Sequence, residues 1–215
     1  MNHTLLALKP ALVLVASVAW WLQRHRFAQG TWLVGAQLLI AFFVEAYALF
    51  LAYSHQLNLW WYDLYVPIEL TLLLAYARGH LAHRWQRRAV IPAWALLLAA
   101  YAADLRMNYP EAFVSAAYIC GSVVLVVAYL ALLYDLALRV DVALQRQPLF
   151  WVHVGIALFF AGMVPLLGLW NRLTAEDGEL AANLFIANHV LFTIRYGTIV
   201  IACAIPGIPH RPGPP

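Results

Sequence analysis

The chain has 215 residues, 65% hydrophobic and only 11% charged, with a formal charge of +3 and a mean hydropathy of +0.76. A soluble domain is roughly 45–50% apolar and about 25% charged, and ten acids with thirteen bases cannot coat a water-facing surface of this size, so lipid must be the solvent for most of the exterior. The excess of base carries no nucleic-acid partner, because the arginines fall in short connections between apolar runs, where they act as topology signals.

Crossing a hydrocarbon layer of about 30 Å takes roughly 20 apolar residues as helix. Only helices or closed barrels satisfy their own backbone there, and no segment shows the period-two alternation of a barrel strand. Uninterrupted apolar runs lie near residues 4 to 22, 31 to 53, 60 to 78, 89 to 103, 111 to 137, 148 to 170 and 181 to 205. The expected fold is therefore all-α: a polytopic membrane bundle of seven transmembrane helices.

The first run follows Met-Asn-His-Thr without a basic leader and is itself followed by Arg24 and Arg26, which reads as an uncleaved first helix. The second holds Glu45, and the third holds Tyr62, Tyr65 and Glu69 with Pro67 between them. The fourth is the shortest run, with Pro92 near its start, and it either tilts little or begins among the arginines that precede it. The fifth is long enough to project past the bilayer and carries Ser115, Tyr118 and Ser122. His153 and Pro165 lie in the sixth run, and Asn188, His189 and Arg195 in the seventh. From Pro206 the proline- and glycine-rich end cannot continue a helix, so residues 1–205 read as one transmembrane domain and 206–215 as a flexible cytoplasmic tail. Cys120 and Cys203 fall at opposite depths and are not expected to pair.

Basic residues flanking spans are retained in the cytoplasm. Arg24, Arg26, Arg78, Arg84, Arg87, Arg88, Arg139, Arg146 and Arg211 lie on one side, against Lys9, Arg106 and Arg172 on the other. Nine against three predicts an N-terminus outside and a C-terminus inside. Trp20, Trp21, Trp32, Trp60, Trp61 and Trp85 cluster at span ends, as headgroup anchors should.

An ionisable side chain inside a span costs at least about 2.5–3.5 kcal/mol on insertion scales, so each must be paired, hydrated or functional. At about 1.5 Å per residue, Glu45, Glu69 and His189 are expected at a common depth, roughly 12–14 Å below the outer surface. Tyr62 and Tyr65 share a helical face with Glu69, and Tyr118 shares one with Ser115 and Ser122. Interhelical hydrogen bonding is the plain alternative role for these hydroxyls. Arg195, about 9 Å deeper than His189, requires a carboxylate, with Glu45 the better-placed candidate. Asn188 lies beside Arg195 on the adjoining face. The expected polar cluster is thus Glu45, Tyr62, Tyr65, Glu69, Tyr118, Asn188, His189 and Arg195. Pro67 and Pro165 should kink their helices beside it. His153 reads as a hydrogen-bonding residue below the cluster, and His25, His80 and His83 as headgroup contacts.

Val44-Glu45, Tyr65-Val-Pro-Ile-Glu69, Pro148 to Gly155 continuing to Phe160-Ala-Gly162, and Asn188-His189 leading to Tyr196 resemble a widespread group of small bacterial seven-helix membrane proteins. That resemblance implies the fold, a bacterial inner-membrane location and a common site for Glu45, Glu69 and His189, with no particular substrate. More specialised seven-helix families fit poorly. Retinal bound through a last-helix lysine is excluded, since the sole lysine is Lys9 in the first run, and the paired histidines of intramembrane zinc hydrolases are missing, since Thr193 stands four residues after His189.

Three functions remain open at this point. One is a receptor-like bundle taking a small polar ligand or cation, signalling through a homo-oligomer or another partner. The second is a lipid hydrolase with a metal held by Glu45, Glu69 and His189. The third is a proton-coupled transporter, which gains nothing from internal symmetry because no repeat is visible.

Overall fold

The computed structural model describes residues 3–27, 30–56, 59–108, 115–139, 143–176 and 178–206, with the side chains of 3–6, 59, 108, 115 and 170–185 left aside. Seven α-helices make up nearly all of it: α1 (His3–Gln23), α2 (Trp32–Tyr53), α3 (Leu59–His80), α4 (Arg84–Asn108), α5 (Ser115–Arg139), α6 (Pro148–Glu176) and α7 (Gly178–Ala204). Each falls on one of the expected apolar runs. The beginning of the fifth run, the tail from 207 onward, and the side chains of Ser115, Trp170 and Arg172 lie outside the described residues.

Among the described residues five helices, α2, α4, α5, α6 and α7, contain a stretch long and apolar enough to cross a membrane, which marks a membrane-embedded protein. Large apolar side chains such as Val15, Phe43, Leu96, Val127, Leu158 and Val190 are exposed on the bundle's outside, as a lipid-facing surface requires. α3 is more polar because its first half holds Tyr62, Asp63, Tyr65 and Glu69.

α4 is longer than its apolar run. It spans 25 residues and begins at Arg84, within the arginine-rich connection. Asp135 of α5 accepts the Ala82 amide at 2.9 Å, and the Arg87 Nε donates to the Leu81 carbonyl at 2.6 Å, so the turn into α4 is fastened by one charged residue of α5 and one of α4. At the far end Asp104 accepts the Ala117 amide at 3.1 Å, capping the first turn of α5. α2 ends in a Schellman turn: His55 adopts the left-handed conformation (φ 55°), and the amides of Gln56 and His55 bond back to Leu51 and Ala52 at 2.9 and 3.2 Å. Pro148 sits at the first position of α6, where its missing N–H costs nothing. Pro10, Pro67, Pro92 and Pro165 are all carried within continuous helices.

The packing closes a ring. α1 lies against α2 and α7, α2 against α3, α3 against α5, α5 against α6, and α6 against α7, while α4 packs outside on α3 and α5. Only 17% of the apolar stretch of α4 is buried, against 44–56% for the other four, in keeping with that peripheral position. The tightest approach is between α6 and α7. A methyl group at Gly155 would run into the Thr198 hydroxyl and stand 3.2 Å from the Arg195 carbonyl, and one at Gly162 would run into Leu191. Because the ring has six members, its middle is filled by long side chains rather than by backbone contact, and Tyr76, Tyr129, Phe160, Arg195 and Tyr196 are among the largest wholly buried groups.

Candidate functional site

Glu69, 2% exposed, is the hub of the ring's interior. Its Oε1 accepts from Arg195 Nη1 at 2.7 Å, from the Tyr65 hydroxyl at 2.8 Å and from Gln37 Nε2 at 3.2 Å. Its Oε2 accepts from the Tyr118 hydroxyl at 3.3 Å. Three of the four donors crowd onto Oε1, while Oε2 receives Tyr118 alone. Gln37 also donates to the Tyr65 oxygen at 2.8 Å. Side chains from α2, α3, α5 and α7 thus meet on one carboxylate.

The expected partnership of Arg195 with Glu45 is therefore corrected: Arg195 pairs with Glu69. Depth counted along a helix axis ignores that an arginine reaches several ångströms back toward the helix N-terminus. Glu45 instead accepts from the Tyr62 hydroxyl at 3.1 Å and feels the charge of Lys9 from α1. The single expected layer is really two tiers. Glu45 lies eight residues beyond Gln37 on α2, and its partner Tyr62 lies seven residues before Glu69 on the antiparallel α3, so the tiers are offset by about two helical turns, roughly 10–12 Å. The two remain in electrostatic reach, with Glu69 and Arg195 both acting on Glu45.

The two tiers contain two residues that sequence reasoning had not placed there. Lys9, assigned to the outer flank, is buried at 8% exposure, with its ammonium 5.2 Å from the centre of the Phe192 ring. Gln37 was passed over because it carries no charge. The signal for it was available, since it shares the helical face of Glu45 two turns away and is the sole amide in the interior of its helix.

The remaining expected residues divide. Tyr62, Tyr65 and Tyr118 are in place. His189 is buried, with its carbonyl accepting from the Thr193 hydroxyl at 2.8 Å, and Asn188 is half-buried. Ser122 bonds to the Tyr118 carbonyl of its own helix at 2.7 Å, so its role is local. Among the described residues no three His, Cys, Asp or Glu side chains gather as a metal set would. The set Glu45, Glu69 and His189 fits a metal poorly, because Glu69 is already paired with the Arg195 guanidinium at 2.7 Å.

Arg195, 1% exposed, is held in the opposite way. Its guanidinium carbon lies 4.7, 5.3 and 5.3 Å from the ring centres of Phe159, Phe160 and Tyr196, contacts that stabilise the cation through the ring faces. Nη1 is bonded to Glu69, whereas Nε and Nη2 have no acceptor.

Farther along α3, His153 of α6 shares a 2.9 Å hydrogen bond with the Tyr76 hydroxyl and contacts the ring of Tyr129 edge-on, matching its expected hydrogen-bonding role. His80, expected only to meet headgroups, is stacked on Tyr76 at 4.2 Å and bonded to that residue's carbonyl at 2.9 Å. At the same end a groove of about 500 Å³ opens between Trp20, Trp21, Arg24, Phe27 and Trp32, more than ten residues along α1 from Lys9.

The fold and this interior define a membrane-embedded helical bundle whose core holds paired charges. Comparison with family models, with curated proteins and with solved structures finds no match.

Proposed function

We propose that this is a seven-span protein of a bacterial inner membrane, N-terminus outside and C-terminus inside, whose helix ring binds a small polar ligand at the Glu45–Lys9 and Glu69–Arg195 tiers and passes the change to a partner. The bias of basic residues supports the orientation more strongly once Lys9 is moved to the interior, since nine then stand against Arg106 and Arg172. The resemblance to small bacterial seven-helix membrane proteins supports the location.

The observation that carries the reading is the set of four enclosed charges, Lys9, Glu45, Glu69 and Arg195, each under 9% exposed. On insertion scales four charges cost on the order of 10 kcal/mol before pairing, and apolar side chains of the same size would hold a bundle together as well. Retaining them makes sense where a ligand exchanges partners with them. The Tyr62–Glu45 tier, nearer the start of α3, forms the outer mouth of the site, and Glu69 with Arg195 its floor.

The test is a ligand screen on protein in lipid nanodiscs, read by thermal unfolding. A ligand at about 100 times its Kd stabilises by about 2.7 kcal/mol, and that gain should vanish in Tyr118→Phe and Glu69→Gln. Ligand-dependent stabilisation that survives both substitutions would refute the site.

A further inference from the structure

We propose that the groove between the end of α1 and the start of α2 seats one anionic phospholipid, with its headgroup phosphate on Arg24 and its glycerol and first acyl carbons against the tryptophans. The groove lies more than ten residues along α1 from Lys9, so this lipid site stands or falls apart from the ligand reading of the two tiers.

The local sequence builds the groove. Trp20, 2% exposed, stacks on Phe27 at 4.2 Å with 20° between the ring planes, and this pair fixes the floor. A methyl group on Gly35 would stand 2.7 Å from Trp20 Nε1, so the missing side chain lets the indole lie on the first turn of α2. Gly30 takes a left-handed φ of 93°, and a methyl group there would stand 3.1 Å from the His80 ring, which ties this corner to the end of α3. Trp21 and Trp32 form the walls and are 40% and 67% exposed. The space of about 500 Å³ lies within the roughly 300–1,000 Å³ of small-molecule sites, and its open side meets the headgroup layer, where amphipathic indoles settle.

Charge names the occupant. The Arg24 guanidinium carbon stands 5.0 Å from the centre of the Trp21 ring, and among the described residues it meets no carboxylate. The ring face steadies the cation and leaves its N–H edges for an in-plane acceptor such as a phosphate oxygen. Arg26, Arg78, Arg84 and Arg88 are exposed at the same end of the bundle, while Asp135, the one acid among the described residues there, is engaged by the Ala82 amide. That surplus of base attracts a net negative headgroup. A zwitterionic lipid brings an ammonium as well, which the arginines repel, and a symmetric second copy of the chain would set arginine against arginine. A soluble anion lacks the glycerol and chains that would cover the exposed Trp21, Leu22 and Trp32.

The experiment is native mass spectrometry of the full chain in detergent, titrated with phosphatidylglycerol and with phosphatidylcholine of the same acyl chains, and with glycerol phosphate as the chain-free probe. A basic side chain beside an anionic headgroup is worth about fivefold in affinity, so the first phosphatidylglycerol should bind about fivefold or more tighter than the first phosphatidylcholine. Glycerol phosphate at equal concentration should not displace it. Arg24→Gln, at an exposed position, should cut the preference about threefold or more, whereas Arg88→Gln, outside the groove, should leave it within about twofold. Arg24→Gln should also unfold at the unsubstituted protein's temperature in phosphatidylcholine nanodiscs; if it does not, Arg24→Lys, which keeps the charge, must retain the preference for the proposal to stand. Equal binding of the two lipids overturns the proposal, and so does an Arg88→Gln effect as large as that of Arg24→Gln, which is the mark of a diffuse basic surface. Displacement by glycerol phosphate at equal concentration gives the groove to a soluble phosphate and overturns the lipid.

Discussion

Replacing Glu69 by glutamine should be among the most damaging conservative changes in this chain. Glutamine preserves the shape and can still accept from Tyr65, but it removes the negative charge that faces the Arg195 guanidinium at 2.7 Å. Arginine does not release its proton in proteins, so the variant must enclose an uncompensated cation at 1% exposure. Removing one partner of a buried pair costs about 3–5 kcal/mol. The converse change, Arg195→Met, leaves a carboxyl that still receives Tyr65, Gln37 and Tyr118 and that escapes its burial by taking up a proton. It should cost clearly less, about 1–3 kcal/mol, the range for stranded buried polar groups. The double variant Glu69→Gln with Arg195→Met should recover most of the loss, because no charge is left unpaired. Equilibrium unfolding in mixed micelles, run as a double-mutant cycle, measures all three. A Glu69→Gln cost below about 1 kcal/mol, or a double variant as unstable as the sum of the singles, would refute the pairing.

Other outcomes follow from the same geometry. Gly155→Ala should destabilise by about 1–3 kcal/mol by overpacking, because its methyl meets Thr198, whose hydroxyl is bonded to the Arg195 carbonyl at 2.8 Å; a neutral result in thermal unfolding would show that α6 and α7 are not this close. Tyr65→Phe should cost more than Tyr118→Phe, since the Tyr65 oxygen both accepts from Gln37 and donates to Glu69. Each loss is expected near the 0.6 kcal/mol average for interhelical bonds in membranes, with a ceiling of about 1.7. Lys9→Met and Glu45→Gln should be coupled by more than about 0.5 kcal/mol in a cycle, and simple additivity would separate the two residues. Reporter fusions at the connection between α3 and α4 should report a cytoplasmic location, and an external signal there would invert the proposed topology.

The helices were legible because lipid demands long apolar runs, and each run became a helix. What was hidden is the polar extension of a span. The run at 89 to 103 understated α4 because its ends are polar, with Arg87 bonded to the Leu81 carbonyl and Asp104 accepting the Ala117 amide, contacts that hydropathy does not register. In the interior, Glu69, Tyr65, Tyr118 and Arg195 were legible as rare polar groups in apolar helices. Their partnerships were not, since pairing depends on ring order and side-chain reach. The same rule that sorts basic residues to one side of a membrane concealed Lys9: a lysine near a span end reads as an anchor unless the neighbouring helices are known to bring a carboxylate to it. Gln37 shows the complementary gap, in which a search for charge overlooks the amide that ties α2 to the centre.

The difference between a metal site and the cluster found here comes down to a count of cations. Two carboxylates and an imidazole from three helices would suit a divalent ion if the acids were unopposed. Lys9 and Arg195 oppose both, and Glu69 Oε1 already accepts from Arg195, Tyr65 and Gln37, with Tyr118 on Oε2. A cation entering this interior would have to displace a guanidinium enclosed by Phe159, Phe160 and Tyr196. Arg195 itself is bound to the cluster through Nη1 alone.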